Sequence, residues 1–201
     1  MEIRRAEIAR RSRETDIKIS LNIDGRGETE IDTQIPFLNH MLELFAYWGL
    51  FDLKIKAKGD IEVDIHHTNE DVGICLGEAF KQALRDKAGI RRIAFSVVPM
   101  GEALAEVSVD ISGRPFLRLN PQLAFASRSD KERSGYNFED AKHFLQSFVN
   151  NCGLDLHINL KTSADLHHTL EAMFKALGIA LDGATQIDPR RKGVPSTKGR
   201  I

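Results

Sequence analysis

Ile17, Ile19, Leu21 and Ile23 alternate with Lys18, Ser20 and Asn22, the period of two that belongs to a strand with one buried face. The run stops at Asp24-Gly25-Arg26-Gly27, a turn cluster. The period then changes. After Pro36, apolar residues fall at Leu38, Met41, Leu42 and Phe45, spaced i, i+3, i+4 and i+7, and Gly49 follows; this predicts a helix from Pro36 to about Trp48. Leu53, Ile55 and Ala57 return to alternation and Gly59-Asp60 turns. Ile61, Val63 and Ile65 alternate once more and run into a helix ending near Asp86, before Gly89. Met1 to Arg13 is Arg-rich but contains Glu2 and Glu7 and no long apolar segment, so it reads as a first strand rather than a targeting peptide.

The same order comes back. Ala105, Val107, Val109 and Ile111 alternate and stop at Ser112-Gly113-Arg114, 88 positions after their counterparts (17 to 105). A polar loop from Asn120 to Gly135, expected to be mobile, leads to a helix around His143. Gly153 to Ile158 then mirrors Gly49 to Ile55 with one residue fewer, and a final helix runs to about Asp182. The predicted fold is α+β, built from two tandem pseudo-symmetric halves. Each is a strand-strand-helix-strand-strand-helix unit with a mostly antiparallel sheet and helices on one face, and the two pack as one unit. The halves are assigned to residues 1–93 and 94–187. Residues 188–201 carry Pro189, Gly193, Pro195, Gly199 and five basic residues, and read as an irregular basic arm.

Composition narrows the class without naming a chemistry. The chain is 42% hydrophobic and its 28 basic and 29 acidic residues are interspersed, for a net charge of −1. That gives no field to attract nucleic acid or an anionic membrane, and no apolar run is long enough for a membrane span. Two cysteines, Cys75 and Cys152, form no CxxC pair and no disulfide framework, so a reducing cytoplasmic setting is expected.

The histidines carry the chemistry. Asp64-Ile65-His66-His67-Thr68-Asn69-Glu70 is answered by Asp165-Leu166-His167-His168-Thr169-Leu170-Glu171, 101 positions later (64 to 165). His40-Met41-Leu42-Glu43-Leu44-Phe45 is answered by His143-Phe144-Leu145-Gln146-Ser147-Phe148, 103 positions later (40 to 143). Of seven histidines only His157 lacks a counterpart. A lone HHxxE at a helix start is as easily a surface cap as a ligand set; two matched copies with two further matched histidines indicate a duplicated metal site. Adjacent helical residues point ~100° apart, so His66 and His67 must serve different ions, while Glu70 shares a face with either. The same holds for His167, His168 and Glu171. With His40 and His143 the ligands suffice for two sites of three imidazoles and one carboxylate, each drawing on both copies. That set suits Mn, Fe, Ni or Zn, leaves open positions for catalysis, and lacks the thiolates of a soft-metal or structural zinc site.

With these motifs, Ile35-Pro36-Phe37-Leu38-Asn39-His40-Met41-Leu42, Ser112-Gly113-Arg114-Pro115 and Pro195-Ser196-Thr197-Lys198-Gly199 resemble imidazoleglycerol-phosphate dehydratase of histidine biosynthesis, over essentially the whole chain. Asn39 and Leu170 stand at variable-looking positions, and the Gln122 to Tyr136 loop matches nothing specific. The resemblance implies a hydro-lyase with two Mn2+ ions, assembled as a 24-mer with sites at subunit interfaces. It would convert D-erythro-imidazole glycerol phosphate to imidazole acetol phosphate through a metal-bound imidazolate. It also implies roles. Glu14, in Arg13-Glu14-Thr15, would move protons; its echo Glu102 receives only a structural one. Glu14, His40, His66 and His167 would contact substrate, and Arg92, Arg114, Ser196, Thr197 and Lys198 would hold the phosphate. Two other classes remain on the residues alone: a dinuclear metal-dependent phosphoester hydrolase, and a metal-storing or metal-templated assembly protein.

Overall fold

The computed structural model describes residues 4–121 and 135–201. The first half runs β1 (Arg5–Arg11), β2 (Thr15–Asn22), β3 (Thr29–Asp32), α1 (Pro36–Trp48), β4 (Asp52–Gly59) and α2 (His66–Leu84). The second repeats it as β5 (Ile93–Met100), β6 (Ala103–Asp110), β7 (Phe116–Pro121), α3 (Phe138–Cys152), β8 (Asp155–Thr162) and α4 (Leu166–Thr185). The sheets have the same order, β1-β2-β4-β3 and β5-β6-β8-β7. In each, three strands are antiparallel and the short third strand lies parallel to the fourth. The α+β class and the two similar halves agree with the sequence pattern.

Each half nevertheless has three strands before its first helix and one between its helices. Ile61, Val63 and Ile65 form no strand. Val63 N–H donates to the Asp60 carbonyl at 2.8 Å in a turn, and Val63 is 72% exposed, so the alternation there does not form one buried face. The strand overlooked in the first half is β3, Thr29-Glu30-Ile31-Asp32, which has no fully buried residue to give it a pattern. The loop read from Asn120 to Gly135 begins inside β7 and otherwise lies almost wholly outside the described residues.

The helices form a layer between the sheets. Helix α2 packs on β1 and β2 and α4 on β5 and β6, while the main helix pairs cross between halves, α1 with α4 and α2 with α3. Pro36 begins α1 where a missing N–H costs nothing, and Asn137 with Asp140 forms a capping box on α3. Phe45 and Phe148, equivalent by repeat, touch each other with ring centroids 6.4 Å apart, and Phe80 contacts both. They mark the pseudo-twofold axis. Two glycines let the helices approach. A Cβ on Gly77 would stand 2.5 Å from the Phe148 carbonyl oxygen, and one on its repeat equivalent Gly178 2.3 Å from that of Phe45.

Candidate metal centre

Crossing the helices between halves joins residues far apart in sequence. His40 on α1 faces His167 and Glu171 on α4, and Nε2 of each histidine lies 3.0 Å from Glu171 Oε1. The three ligand atoms fall within 4.8 Å of one another. The repeat builds a looser counterpart on α2 and α3. There His66 Nε2 is 3.6 Å from Glu70 Oε2, and the His143 ring meets His66 edge-on at 5.0 Å. Each cluster thus takes a His-x-x-x-Glu pair from one half and a single histidine from the other.

The second histidine of each pair turns away, its ring 6.4 Å from its neighbour's in both motifs. His67 Nδ1 lies 3.1 Å from both Asp60 carboxylate oxygens, and His168 Nδ1 lies 3.0 Å from Glu102 Oε2. These hydrogen bonds raise both histidines above their ordinary pKa, and the bond from His168 is the main cause holding the Glu102 carboxyl down at about 2. Within one chain, therefore, the third imidazole of each expected set does not join the triad; His67 and His168 face elsewhere. Glu14 sits near His67 at 4.0 Å, more than half exposed.

Glu171 is the most strongly held of the candidate ligands. Burial pushes its carboxyl up, but Lys175 at 2.6 Å, His40 and His167 outweigh burial and bring it down to about 2. Lys175 escaped the sequence reading, although i+4 from a ligand carboxylate is where a helical partner belongs. The donor set fits a borderline or hard divalent ion: imidazole nitrogens and carboxylate oxygens. Cys75 and Cys152 are buried away from it, and burial pushes both thiols up to about 12, so neither supplies a thiolate.

Two further residues tie the triads to the frame. Asn69 is buried, accepts from the Tyr136 hydroxyl at 2.8 Å and donates to the Asp140 carbonyl at 2.8 Å. Tyr136 stacks on Phe37, whose ring meets His167 edge-on at 5.1 Å. Asn39 and Leu170, variable-looking in sequence, are structural: Asn39 Oδ1 accepts from the Thr33 N–H, and Leu170 is fully buried.

The expected phosphate residues gather at the other end of the second sheet. Arg92 grips Asp110 at 2.6 and 2.9 Å and donates to the Pro195 carbonyl at 3.0 Å. Its backbone is left-handed, φ +75°, a strained state for arginine that the surrounding hydrogen bonds hold in place. Arg114 follows Gly113, which lies against Ile201, so the tail with Ser196, Thr197 and Lys198 runs between the two arginines. Strand β6 separates this cluster from His168, with Glu102 at one end and Asp110 at the other. At ~3.3 Å per residue, that is about 25 Å.

Residues 33–181 match the family model of imidazoleglycerol-phosphate dehydratase. The chain belongs to the imidazoleglycerol-phosphate dehydratase family. Relatives named imidazoleglycerol-phosphate dehydratase include one from Pelobacter propionicus, 56% identical over 98% of each chain. Another is from Geobacter sp. (strain M21), 54% identical over 98% of this chain and 99% of that one. Among solved structures, the family member from Pyrococcus furiosus in complex with (S)-C348 superposes with a TM-score of 0.81 at 34% identity. It covers 96% of this chain and 100% of that one. The Staphylococcus aureus dehydratase gives 0.79, also at 34% identity, covering 92% and 99%. The hydrolase alternative finds no support among these relatives. Among the described residues no helix is long and apolar enough to cross a membrane.

Proposed function

We propose that this chain is a cytoplasmic hydro-lyase that dehydrates D-erythro-imidazole glycerol phosphate to imidazole acetol phosphate, working with two Mn2+ ions as a homo-oligomer. One observation carries the reading: both triads join a His-x-x-x-Glu pair of one half to a histidine of the other, in a chain of this family. Residues 1–93 and 94–187 then act as a single catalytic unit, with 188–201 as its phosphate-side arm.

Dehydration removes the hydroxyl next to the ring and a proton from the neighbouring carbon, and the resulting enol ketonises. That proton is not acidic in the free substrate. Divalent ions held by His40, His167 and Glu171, and by His66, Glu70 and His143, would supply Lewis-acid polarisation of the imidazole ring; Fe, Ni or Zn suit the donors as well as Mn. Glu14, exposed beside His67, is the group that carries the proton. Arg92, Arg114, Ser196, Thr197 and Lys198 hold the phosphate through charge-assisted hydrogen bonds.

The ~25 Å between histidines and phosphate residues is too far for one glycerol phosphate to bridge, which supports a site completed by another copy of the chain. The outward-facing His67 and His168 are the ligands such a copy would lend, and a 24-mer is the assembly the family resemblance implies. The test is product formation from imidazole glycerol phosphate by Mn-loaded protein, with metal content and particle size measured on the same sample. Two ions per chain, a large oligomer and ketone product are expected. A fully loaded protein that makes no product overturns the assignment.

A further inference from the structure

The second histidines of the two motifs are held by different means, and the difference begins in the repeat. Strands β4 and β8 correspond at an offset of 103 (Asp52 to Asp155), whereas the histidine pairs correspond at 101 (His66 to His167). The first half therefore carries two additional residues between strand and histidine pair. That longer segment delivers Asp60. Its backbone N–H donates to the Glu14 carbonyl at 3.2 Å, and its carboxylate takes His67 Nδ1 at 3.1 Å. The Glu14 carboxylate, 4.0 Å from the same nitrogen, is beyond hydrogen-bond distance.

The second half has no such residue. Ser163 follows β8, and its buried hydroxyl has no partner among the described residues. Glu102, the repeat equivalent of Glu14, does the holding itself. It accepts from His168 Nδ1 at 3.0 Å and from the Asp165 N–H at 3.0 Å. Gly101, at φ +54°, makes room for this, since a Cβ there would stand 3.2 Å from His168 Nδ1. A carboxylate on Nδ1 fixes the tautomer, presents Nε2 outward and raises its basicity toward an ion. A carboxylate engaged in this way is not free to carry a substrate proton.

We infer that Asp60 is a positioning residue that holds His67 and so leaves Glu14 free for proton transfer, whereas Glu102 is committed to holding His168. This rests on the proposed roles of Glu14 as proton carrier and of His67 and His168 as metal ligands. It accounts for why two equivalent glutamates have unequal parts in a symmetric frame.

Equilibrium Mn2+ binding to chelator-stripped protein, read beside turnover, tests it. Glu14→Ala is expected to leave Mn2+ affinity unchanged. Asp60→Ala is expected to lower affinity only a few-fold, because Glu14 moves onto His67, yet to lower turnover as far as Glu14→Gln does. The Asp60→Ala/Glu14→Ala double variant and Glu102→Ala are each expected to lose roughly 10–100-fold in affinity. Asp60→Asn, which keeps an acceptor for Nδ1, is expected to restore turnover. Asp60→Ser, too short to reach Nδ1, is expected to behave as Asp60→Ala does, and replaces it if the alanine variant disturbs the turn. Parent-like turnover in Asp60→Ala, or a double variant that binds Mn2+ as Asp60→Ala does, overturns the inference. Parent-like turnover in Glu14→Gln would instead locate the failure in the role of Glu14.

Discussion

Gly178→Ala tests whether helix spacing sets the metal site. The added Cβ would lie 2.3 Å from the Phe45 carbonyl oxygen and 3.0 Å from the Gly49 nitrogen. Both are backbone atoms at the end of α1, so no side chain can swing aside. Bringing the first distance to the 3.0 Å floor of real Cβ contacts requires α1 to retreat from α4 by ~0.7 Å, and such overpacking costs ~1–3 kcal/mol. For a chain of this size, each kcal/mol lowers Tm by ~2–4 °C. The same retreat stretches the 3.0 Å contact between His40 and Glu171 to ~3.7 Å, past hydrogen-bond range. The triad of His66, Glu70 and His143 spans α2 and α3 and does not feel it. Mn2+ titration should therefore show one weakened and one parent-like site, together with the loss in Tm. Gly183→Ala, whose Cβ would meet only the Ala94 Cβ at 3.1 Å, serves as the control on the same helix. Two equal sites and an unchanged Tm in Gly178→Ala would refute the link between helix approach and ligand geometry.

Glu14→Gln should retain metal and particle size while turnover falls ~10²-fold or more in a steady-state assay. Arg114→Ala and Lys198→Ala should each weaken inorganic phosphate binding by ~1–3 kcal/mol, measured calorimetrically. Arg92→Ala should do the same and also free the tail it holds at Pro195, read as faster proteolysis after residue 188. In the metal-free protein, the Glu171 carboxyl is held below its ordinary 4.5, at about 2. A lowered folded-state pKa gives stability that is present above pH ~4.5 and lost as pH falls toward ~2. Urea midpoints across that range should drop in the parent, and the drop should be smaller in Glu171→Gln.

The repeat made much of this legible in the sequence. Matched histidines marked the candidate ligands, and the apolar period located α1, because Pro36 and Gly49 mark its two ends. The elements that escaped were those whose pattern is not set by a buried face. β3 has no fully buried residue. β5 shows apolar residues on both faces, with Ile93, Phe95 and Val97 half or more exposed, so it offers no alternation to read. Periodicity cannot tell an irregular turn such as Ile61 to Ile65 from a strand. The separation of the expected phosphate residues from the histidines was beyond reach for a different reason. It depends on which end of β6 each residue occupies, and that follows from sheet topology rather than from local pattern. Asp60 did leave a trace, the change of offset from 103 to 101, but its meaning needed the distance to His67.

The crossed pairing of helices also bears on how such a chain could arise. Helices α1 and α2 have their main helix partners in the second half and few contacts with each other, so a single half folded alone would expose the apolar faces that those partners cover. A half-length ancestor could bury them only against a second copy of itself, across a true dyad where Phe45 and Phe148 now meet. In that dimer the histidine of one copy would already face the His-x-x-x-Glu pair of the other, twice over. Fusion would then have added no ligand. It would have allowed the two copies to diverge, so that one could acquire Asp60 and the other Lys175.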